Sequence, residues 1–218
     1  MIILSIESST PVAGIAVSDG KKLLGEVMIN TQNAHSEKLM PMVAQLLHDL
    51  QVNIQQIDAV AITCGPGSFT GLRIGMATAK GIVQGGNKKL IAIPTLDTLA
   101  QNLNHYPGII CPIMNAQKKQ VYTAIYKSTE TGMERLSDYQ AIEAETLAEQ
   151  LLALGETVWF TGDGVDGILK GLLVCLCDLT PHFKFGRPRV QTEDGGKPSS
   201  RDFLGFLMRG YLEVTVNP

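Results

Sequence analysis

The first thirty positions carry a strand rhythm. Residues 2–7 are an apolar run that ends in the polar turn Glu7-Ser8-Ser9-Thr10-Pro11. Positions 13–18 predict a second strand, Asp19-Gly20 a hairpin turn and 22–30 a third strand, so the chain opens as an antiparallel meander. After the polar stretch 31–35 the period changes, and Leu39, Met40, Val43, Leu46, Leu47 and Leu50 recur at helical spacing. Pro41 suits a first helical turn rather than an interior one, which starts the regular helix near 38–41 or kinks it there. A strand over 57–63 runs into Cys64-Gly65-Pro66-Gly67-Ser68-Phe69-Thr70-Gly71, and from Leu72 to Val83 the helical period returns until Gly85-Gly86-Asn87 stops it. Residues 90–93 predict another strand, and Pro94-Thr95 opens a short helix to about Leu103 with Thr95 as its cap.

The second half returns to the same order. Strands are predicted over 109–115, 120–126 and 136–142, with a turn at 116–119 and a polar loop at 127–134. A helix over 145–154 carries Leu147, Leu151, Leu152 and Leu154, a strand follows at 157–161, and Gly162-Asp163-Gly164 turns after it. Residues 183–196 read as a Pro/Gly-rich, partly basic loop, and Ser199-Ser200-Arg201-Asp202 caps a last helix over 203–212. The expectation is a mixed α/β chain built from a duplicated β-β-β-α-β unit. The divisions are 1–104 and 105–218, with the last helix, 200–213, packing back on the N-terminal half.

The glycine corner admits two readings. A Gly-Pro-Gly turn between strand and helix aims backbone N–H groups outward and suits an anion, with Ser68 or Thr70 as the cap. Beyond it Gly71, Gly75 and Ala79 recur every fourth residue and leave one helix face nearly bare. Glycine inside a helix costs about 1 kcal/mol relative to alanine, so two on one stripe predict a very close neighbour. The wide apolar stripe of the preceding helix likewise fits either a sheet-facing core or a partner.

Composition narrows the classes. The 218 residues are 44% hydrophobic and 18% charged with a net charge of -3, which fits a folded protein with a core and not a general polyanion binder. No apolar run is long enough for a membrane span, and the acid at Glu7 argues against a signal peptide. Cys64, Cys111, Cys175 and Cys177 lie in apolar contexts, which points to a reducing cytoplasm.

Catalytic chemistry is thin. Duplicated units of this kind occur in sugar kinases and actins, which hold ATP between their halves. Such an enzyme needs carboxylates at the ends of its first strands and glycine turns around phosphates. Glu7 and Ser9, with Gly65, Gly67 and Ser68, supply one candidate nucleotide cradle, and Gly162, Asp163 and Gly164 the other. The strand matching the first one ends instead at Asn115, an amide. His35 lacks a histidine four residues on, His48, His105 and His182 stand alone, and Cys175-Leu176-Cys177 has no second pair, so no metal site is assigned. Ser68 does not match the Gly-x-Ser-x-Gly nucleophile elbow, and no catalytic residue is assigned.

Three stretches carry a family resemblance: Leu4-Ser5-Ile6-Glu7-Ser8-Ser9, His35-Ser36-Glu37-Lys38-Leu39-Met40-Pro41, and Gly65-Pro66-Gly67-Ser68-Phe69-Thr70-Gly71-Leu72-Arg73-Ile74-Gly75. They resemble the TsaB family, formerly YeaZ, and the likeness runs from residue 1 to about 126. The resemblance implies the ASKHA (actin-like, RNase H-like) fold, with duplicated β-β-β-α-β-α-β subdomains and mixed sheets. It implies a non-catalytic subunit for N6-threonylcarbamoyladenosine (t6A) at position 37 of tRNAs that read ANN codons. The implied partners are TsaD, TsaE at the TsaB–TsaD junction, and a second copy as homodimer when TsaD is absent. TsaC is linked functionally, and tRNA is met only through the complex. No cofactor is required by this subunit, while the complex uses ATP and Mg. The alternatives are a Mg-ATP-dependent phosphotransferase of the same fold, or an inactive glycoprotease-like peptidase homologue.

The family contact is made by the first two helices. Here that implies a partner face of His35, Leu39, Met40, Val43, Leu46 and Leu47 from the first helix. From the second come Gly71, Leu72, Arg73, Gly75, Met76, Ala79 and Val83. The chain departs from the family at Asn115-Ala116-Gln117 and Gln120-Val121-Tyr122, where charged positions have become amides.

Overall fold

The meander forms as its alternation predicts: β1 (Ile3–Glu7), β2 (Val12–Ser18) and β3 (Leu23–Asn30) pair antiparallel, with Glu7 opposite Gly14. This computed structural model describes residues 1–30, 34–116, 120–130, 132–165, 184–185 and 211–215. α1 (Ala34–Asp49) follows, then a single 3₁₀ turn (Ile54–Gln56) whose cap Asn53 accepts from Gln55 N. β4 (Ala59–Thr63), α2 (Phe69–Gly86) and β5 (Lys89–Ile93) complete the first sheet in the order β3-β2-β1-β4-β5, its last three strands parallel.

Every second residue of the central strands faces the two helices. Leu4 and Ile6 of β1, Ile15 and Val17 of β2, and Val60 and Ile62 of β4 pack in one core cluster. Leu39, Val43, Leu46 and Leu47 of α1 and Ala79 and Ile82 of α2 close it. α1 starts earlier than Pro41 suggests, because Pro41 lies inside the helix and on its exposed side. The proline removes one backbone donor, and the buried stripe from Leu39 to Leu47 holds the helix through it. α2 ends where the sequence says it should, on Asn87 in the left-handed region.

The first compact unit runs over Met1–Thr95 and the second takes up at Leu96, so α3 (Thr95–Gln101) belongs almost wholly to the second. Thr95 opens that helix, but its buried hydroxyl has no partner and its N–H donates to the Gly65 carbonyl at 2.8 Å, which corrects the side-chain cap.

The second unit contains β6 (Ile109–Asn115), β7 (Gln120–Thr123), β8 (Tyr126–Thr129), β9 (Gly132–Arg135), β10 (Gln140–Glu143), α4 (Ala144–Leu152) and β11 (Thr157–Thr161). β12 (Lys184–Phe185) and β13 (Tyr211–Thr215) add to the same sheet. Its order is β10-β7-β6-β11-β13-β12, with β8 paired to β6 and β9. β10-β7-β6 are antiparallel and β6-β11 parallel, with α4 between β10 and β11, as α1 lies between β3 and β4. The duplication therefore holds through the fourth strand of each unit, and this is the ASKHA topology. The fifth strand differs: β13 runs antiparallel to β11, whereas β5 runs parallel to β4.

Four sequence expectations change here. The strand over 120–126 divides at Ala124-Ile125, because Ile125 bonds out of register, its carbonyl accepting from Leu136 N at 2.7 Å and its N–H donating to Ser137 Oγ at 2.9 Å. Residues 120–123 then pair with β10 while 126–129 pair with β9, which turns the expected loop 127–134 into a hairpin and shortens the strand 136–142. The last helix cannot reach 212, since Tyr211–Thr215 is a strand along β11; its part over 203–210 lies outside the described residues, as do most of 183–196 and the pair Cys175 and Cys177. Among the described residues no helix is long and apolar enough to cross a membrane.

Candidate docking face and the closed glycine corner

Ser68 makes the corner. Its N–H donates to the Ser9 carbonyl at 2.7 Å, its hydroxyl accepts from Gly71 N at 3.2 Å, and its carbonyl accepts from Leu72 N at 2.8 Å. The cap predicted from sequence is present, and the same residue ties α2 to the turn after β1. Gly67 (φ +158°) lies so close to Ser9 that an added Cβ would strike the Ser9 carbonyl oxygen. Cys64 N donates to the Ile93 carbonyl at 2.9 Å, so the corner is also held from β5.

Glu7 lies beneath. Its Oε1 accepts from Ser9 N at 2.6 Å and from Ser9 Oγ at 2.5 Å, while Oε2 is buried without a partner, as are Ser8 Oγ and Thr63 Oγ1. Burial pushes the Glu7 carboxyl above the usual carboxylate range, against the pull of its hydrogen bonds from Ser9.

Glu7, Ser9, Gly67 and Ser68 are thus brought together, but they contact one another, while the Gly65 carbonyl accepts from Thr95 N. The N–H of Ser68 and that of Gly71 are already spent within the chain and do not point at an anion. The other nucleotide candidates sit by themselves in the second unit. Asp163 Oδ1 accepts from Asn115 N at 3.2 Å, and Gly162 (φ +115°) backs onto the Ile113 carbonyl. Asp163 serves the end of β6, and partial desolvation raises its pKa. In the first unit the glycine turn after β4 packs on the Ser8–Ser9 turn that follows β1, and in the second the glycine turn after β11 packs on Ile113 of β6.

The bare stripe also faces inward. A Cβ on Gly71 would meet the Ser8 carbonyl oxygen, one on Gly75 would meet Ser8 Oγ, and Ala79 is fully buried. Leu39, Val43, Leu46 and Leu47 are buried in the same core. These seven members of the expected partner face are corrected to core positions, because the small residues let α2 lie close on the Ser8–Ser9 turn and the leucines fill the space beside it. Of the remainder, Met40 is 48% exposed, Arg73 is exposed, and Leu72, Met76 and Val83 are half-buried. His35 lies in the first turn of α1, and its side chain is outside the described residues.

The outer face of α2 carries a second small stripe that the sequence reading missed. Ala77, Gly81 and Gly85 follow the same four-residue spacing two positions round, and a Cβ on Gly81 or Gly85 would meet nothing within 4 Å. With Met40, Ile54 and Thr78 they line an open groove of about 710 Å³. At the other end of α2, Phe69 is 71% exposed with the Arg73 guanidinium 4.5 Å above its ring. The sequence signal for the outer stripe was available: the helix has two sets of small residues on opposite faces, and only one can meet the sheet.

The class of this protein follows from fold and sequence together. Residues 22–161 match the family model described as "TsaD: tRNA N6-adenosine threonylcarbamoyltransferase". The structure named YeaZ from Pseudomonas aeruginosa superposes with a TM-score of 0.60 at 24% identity, covering 66% of this chain and 68% of that one. Among curated proteins, the "tRNA threonylcarbamoyladenosine biosynthesis protein TsaB" of Bacillus subtilis is 33% identical over 162 residues, 74% of this chain and 71% of the relative. The Escherichia coli protein of the same name is 27% identical over 163 residues, 74% and 70% of the two chains. The chain belongs to the TsaB family within this TsaD-like group.

Proposed function

We propose that this chain is a non-catalytic docking subunit in t6A biosynthesis, acting in the cytoplasm, that binds TsaD through the outer face of α1 and α2. The single observation that carries the reading is the groove beside Ala77, Gly81 and Gly85. The small residues Ala77, Gly81 and Gly85 leave it shallow along α2, its rim carries the exposed Met40, and it lies on the two helices nearest the family's most specific motif. A helix of a partner can approach such a surface closely, as small residues permit. The inward-turned corner supports the same reading, since the residues that would hold a nucleotide in the first unit hold α2 instead. In this scheme TsaE joins at the junction with TsaD, TsaC supplies the activated threonylcarbamoyl group, tRNA A37 is reached only through the complex, and two copies pair when TsaD is absent. ATP and Mg serve the complex and not this subunit.

Co-expression with the cognate TsaD chain, followed by size measurement, tests it. A stable heterodimer is expected, and Gly81→Glu with Gly85→Glu should dissociate it while leaving the thermal unfolding of the isolated chain nearly unchanged. No association at micromolar concentration, or association untouched by both substitutions, would refute the reading.

A further inference from the structure

Among the described residues Glu7 is the buried carboxylate, and the docking reading gives it no task. Its position suggests one. Ser9 donates both its N–H and its hydroxyl to Glu7 Oε1. The Ser9 carbonyl then accepts from Ser68 N, and Ser68 caps α2 through Gly71 N and Leu72 N. Phe69 and Arg73, the exposed pair at the start of the docking helix, follow directly on that cap. A continuous hydrogen-bonded path therefore joins the interior carboxyl to the first turn of α2.

Among the described residues, none of the groups that face Glu7 carries a counter-charge. Its own turn offers the peptide N–H groups of Ser8 and Ser9 and the Ser9 hydroxyl. From β2 it faces Gly14, from β4 Thr63, and α2 approaches the turn with Gly71 and Gly75. The charged side chains of α2, Arg73 and Lys80, are both exposed. An ionised Glu7 would place an unpaired charge on Oε2 in the interior, and the packed turn would open to let water reach it. A neutral Glu7 keeps Oε1 as the acceptor for both Ser9 donors and leaves no charge in the interior.

We propose that Glu7 is a positioning residue for the docking face: through Ser9 it holds the first turn of α2, and docking there responds to gain and loss of the Glu7 proton. The proposal rests on the docking reading above. The proton leaves to bulk base and returns from water, so no further reactant is needed. Burial, which favours the neutral form, sets the direction: docking is tight when Glu7 is protonated and weakens as pH rises through its raised pKa.

The experiment is calorimetric titration of the full chain with cognate TsaD between about pH 5 and about pH 8.5, for wild type, Glu7→Gln and Ser9→Ala. The expected result is a Kd that rises about tenfold for wild type beyond the change shown by Glu7→Gln, with Ser9→Ala weaker than wild type at the low end. Equal pH slopes for wild type and Glu7→Gln would overturn it. If no binding occurs at any pH, the docking reading fails, and the relay is decided on the isolated chain. Amide exchange at Leu72, corrected for intrinsic base catalysis, should then accelerate with pH in wild type and not in Glu7→Gln. Matching exchange in the two would overturn the relay, and a difference would retain it for whatever α2 contacts. Should Glu7→Gln fail to fold, Ser9→Ala decides: its Leu72 exchange is expected to lose the pH dependence seen in wild type, and an unaltered dependence would overturn the proposal.

Discussion

Gly75 rests against Ser8 so closely that the space a Cβ would take is occupied by the Ser8 hydroxyl oxygen, with Ile62 Cδ1 at 3.1 Å beyond it. Gly81, lower on the same helix, faces nothing within 4 Å. One residue type in one helix therefore answers two different surfaces, and substitution should separate them.

Gly75→Ala should destabilise despite the better helix propensity of alanine. Propensity returns about 1 kcal/mol, while a methyl forced into a filled interior costs about 1–3 kcal/mol and here must also displace a buried hydroxyl. Gly81→Ala should instead stabilise by up to about 1 kcal/mol. Urea unfolding of both variants checks the pair, and a stabilised Gly75→Ala would show that α2 does not lie on the Ser8–Ser9 turn.

Glu7 predicts a pH dependence of stability with a definite sign. Its folded-state pKa is raised, so the folded chain binds the proton more tightly than the unfolded chain does. The stabilisation is complete below the ordinary carboxylate range and is lost as pH rises through the raised value. Glu7→Gln keeps an acceptor for Ser9 and removes the charge, so its unfolding midpoint should exceed that of wild type at neutral pH and should lack this decline. Chemical unfolding at a series of pH values reads both; a wild-type midpoint that climbs relative to the variant above neutrality would reverse the assignment.

Much of this was legible in the sequence, and the misses have a common cause. Alternation in residues 2–30 and the period from Leu39 to Leu50 gave the meander and α1, because one face of each is buried and periodicity records burial. The spacing of Gly71, Gly75 and Ala79 announced a close neighbour correctly. What spacing cannot say is which neighbour, since Ser8 is distant in sequence and meets the helix only after β1 and β4 pair. Leu39 and Met40 show the same limit at single-residue scale: both fit an apolar stripe, yet one is 1% and the other 48% exposed. Tyr211 and Leu212 fit a helical pattern until a strand edge at β11 claims them. Ile125 bends its strand because of bonds to residues 136 and 137 that no local rule contains.

The second unit holds a cluster that sequence gave no hint of. Tyr126 donates its hydroxyl to Asp97 Oδ1 at 2.6 Å, and Tyr139 donates to the same carboxylate at 2.8 and 2.9 Å, with the Arg135 guanidinium 4.1 Å over the Tyr139 ring. The arrangement fastens α3 to the strands of its own unit. Burial, reinforced by the Asp97 carboxylate, holds the Tyr126 phenol well above the ordinary tyrosine range. Asp97→Ala should cost about 2–4 kcal/mol, since it leaves a buried hydroxyl without its charged acceptor. Tyr126→Phe should cost about 1–2 kcal/mol, and Tyr139→Phe, at an exposed site, less than about 1 kcal/mol. Thermal unfolding with an absorbance titration of the tyrosines checks the ranking. Equal losses for the two Tyr→Phe variants would mean that burial does not distinguish them.

Leu39 and Met40 are neighbours that should fail in opposite ways. Leu39 is enclosed by the core of the first unit, so Leu39→Ala removes packed volume and should destabilise the isolated chain by about 2–5 kcal/mol. Met40 stands on the groove rim, and Met40→Ala should change stability by less than about 0.5 kcal/mol. Met40→Asp, by contrast, should raise the Kd for cognate TsaD about tenfold or more, because an unpaired carboxylate would be carried into an apolar contact. The two measurements are independent, one made on the chain alone and one on the complex. A Met40→Asp chain that folds normally and binds as wild type does would move the docking surface off this face of α1. A Leu39→Ala chain as stable as wild type would mean that α1 is not seated on the sheet through its leucine stripe. The separation works because a helix at the surface of a sheet has only two sides to offer, and in this chain adjacent residues fall one on each.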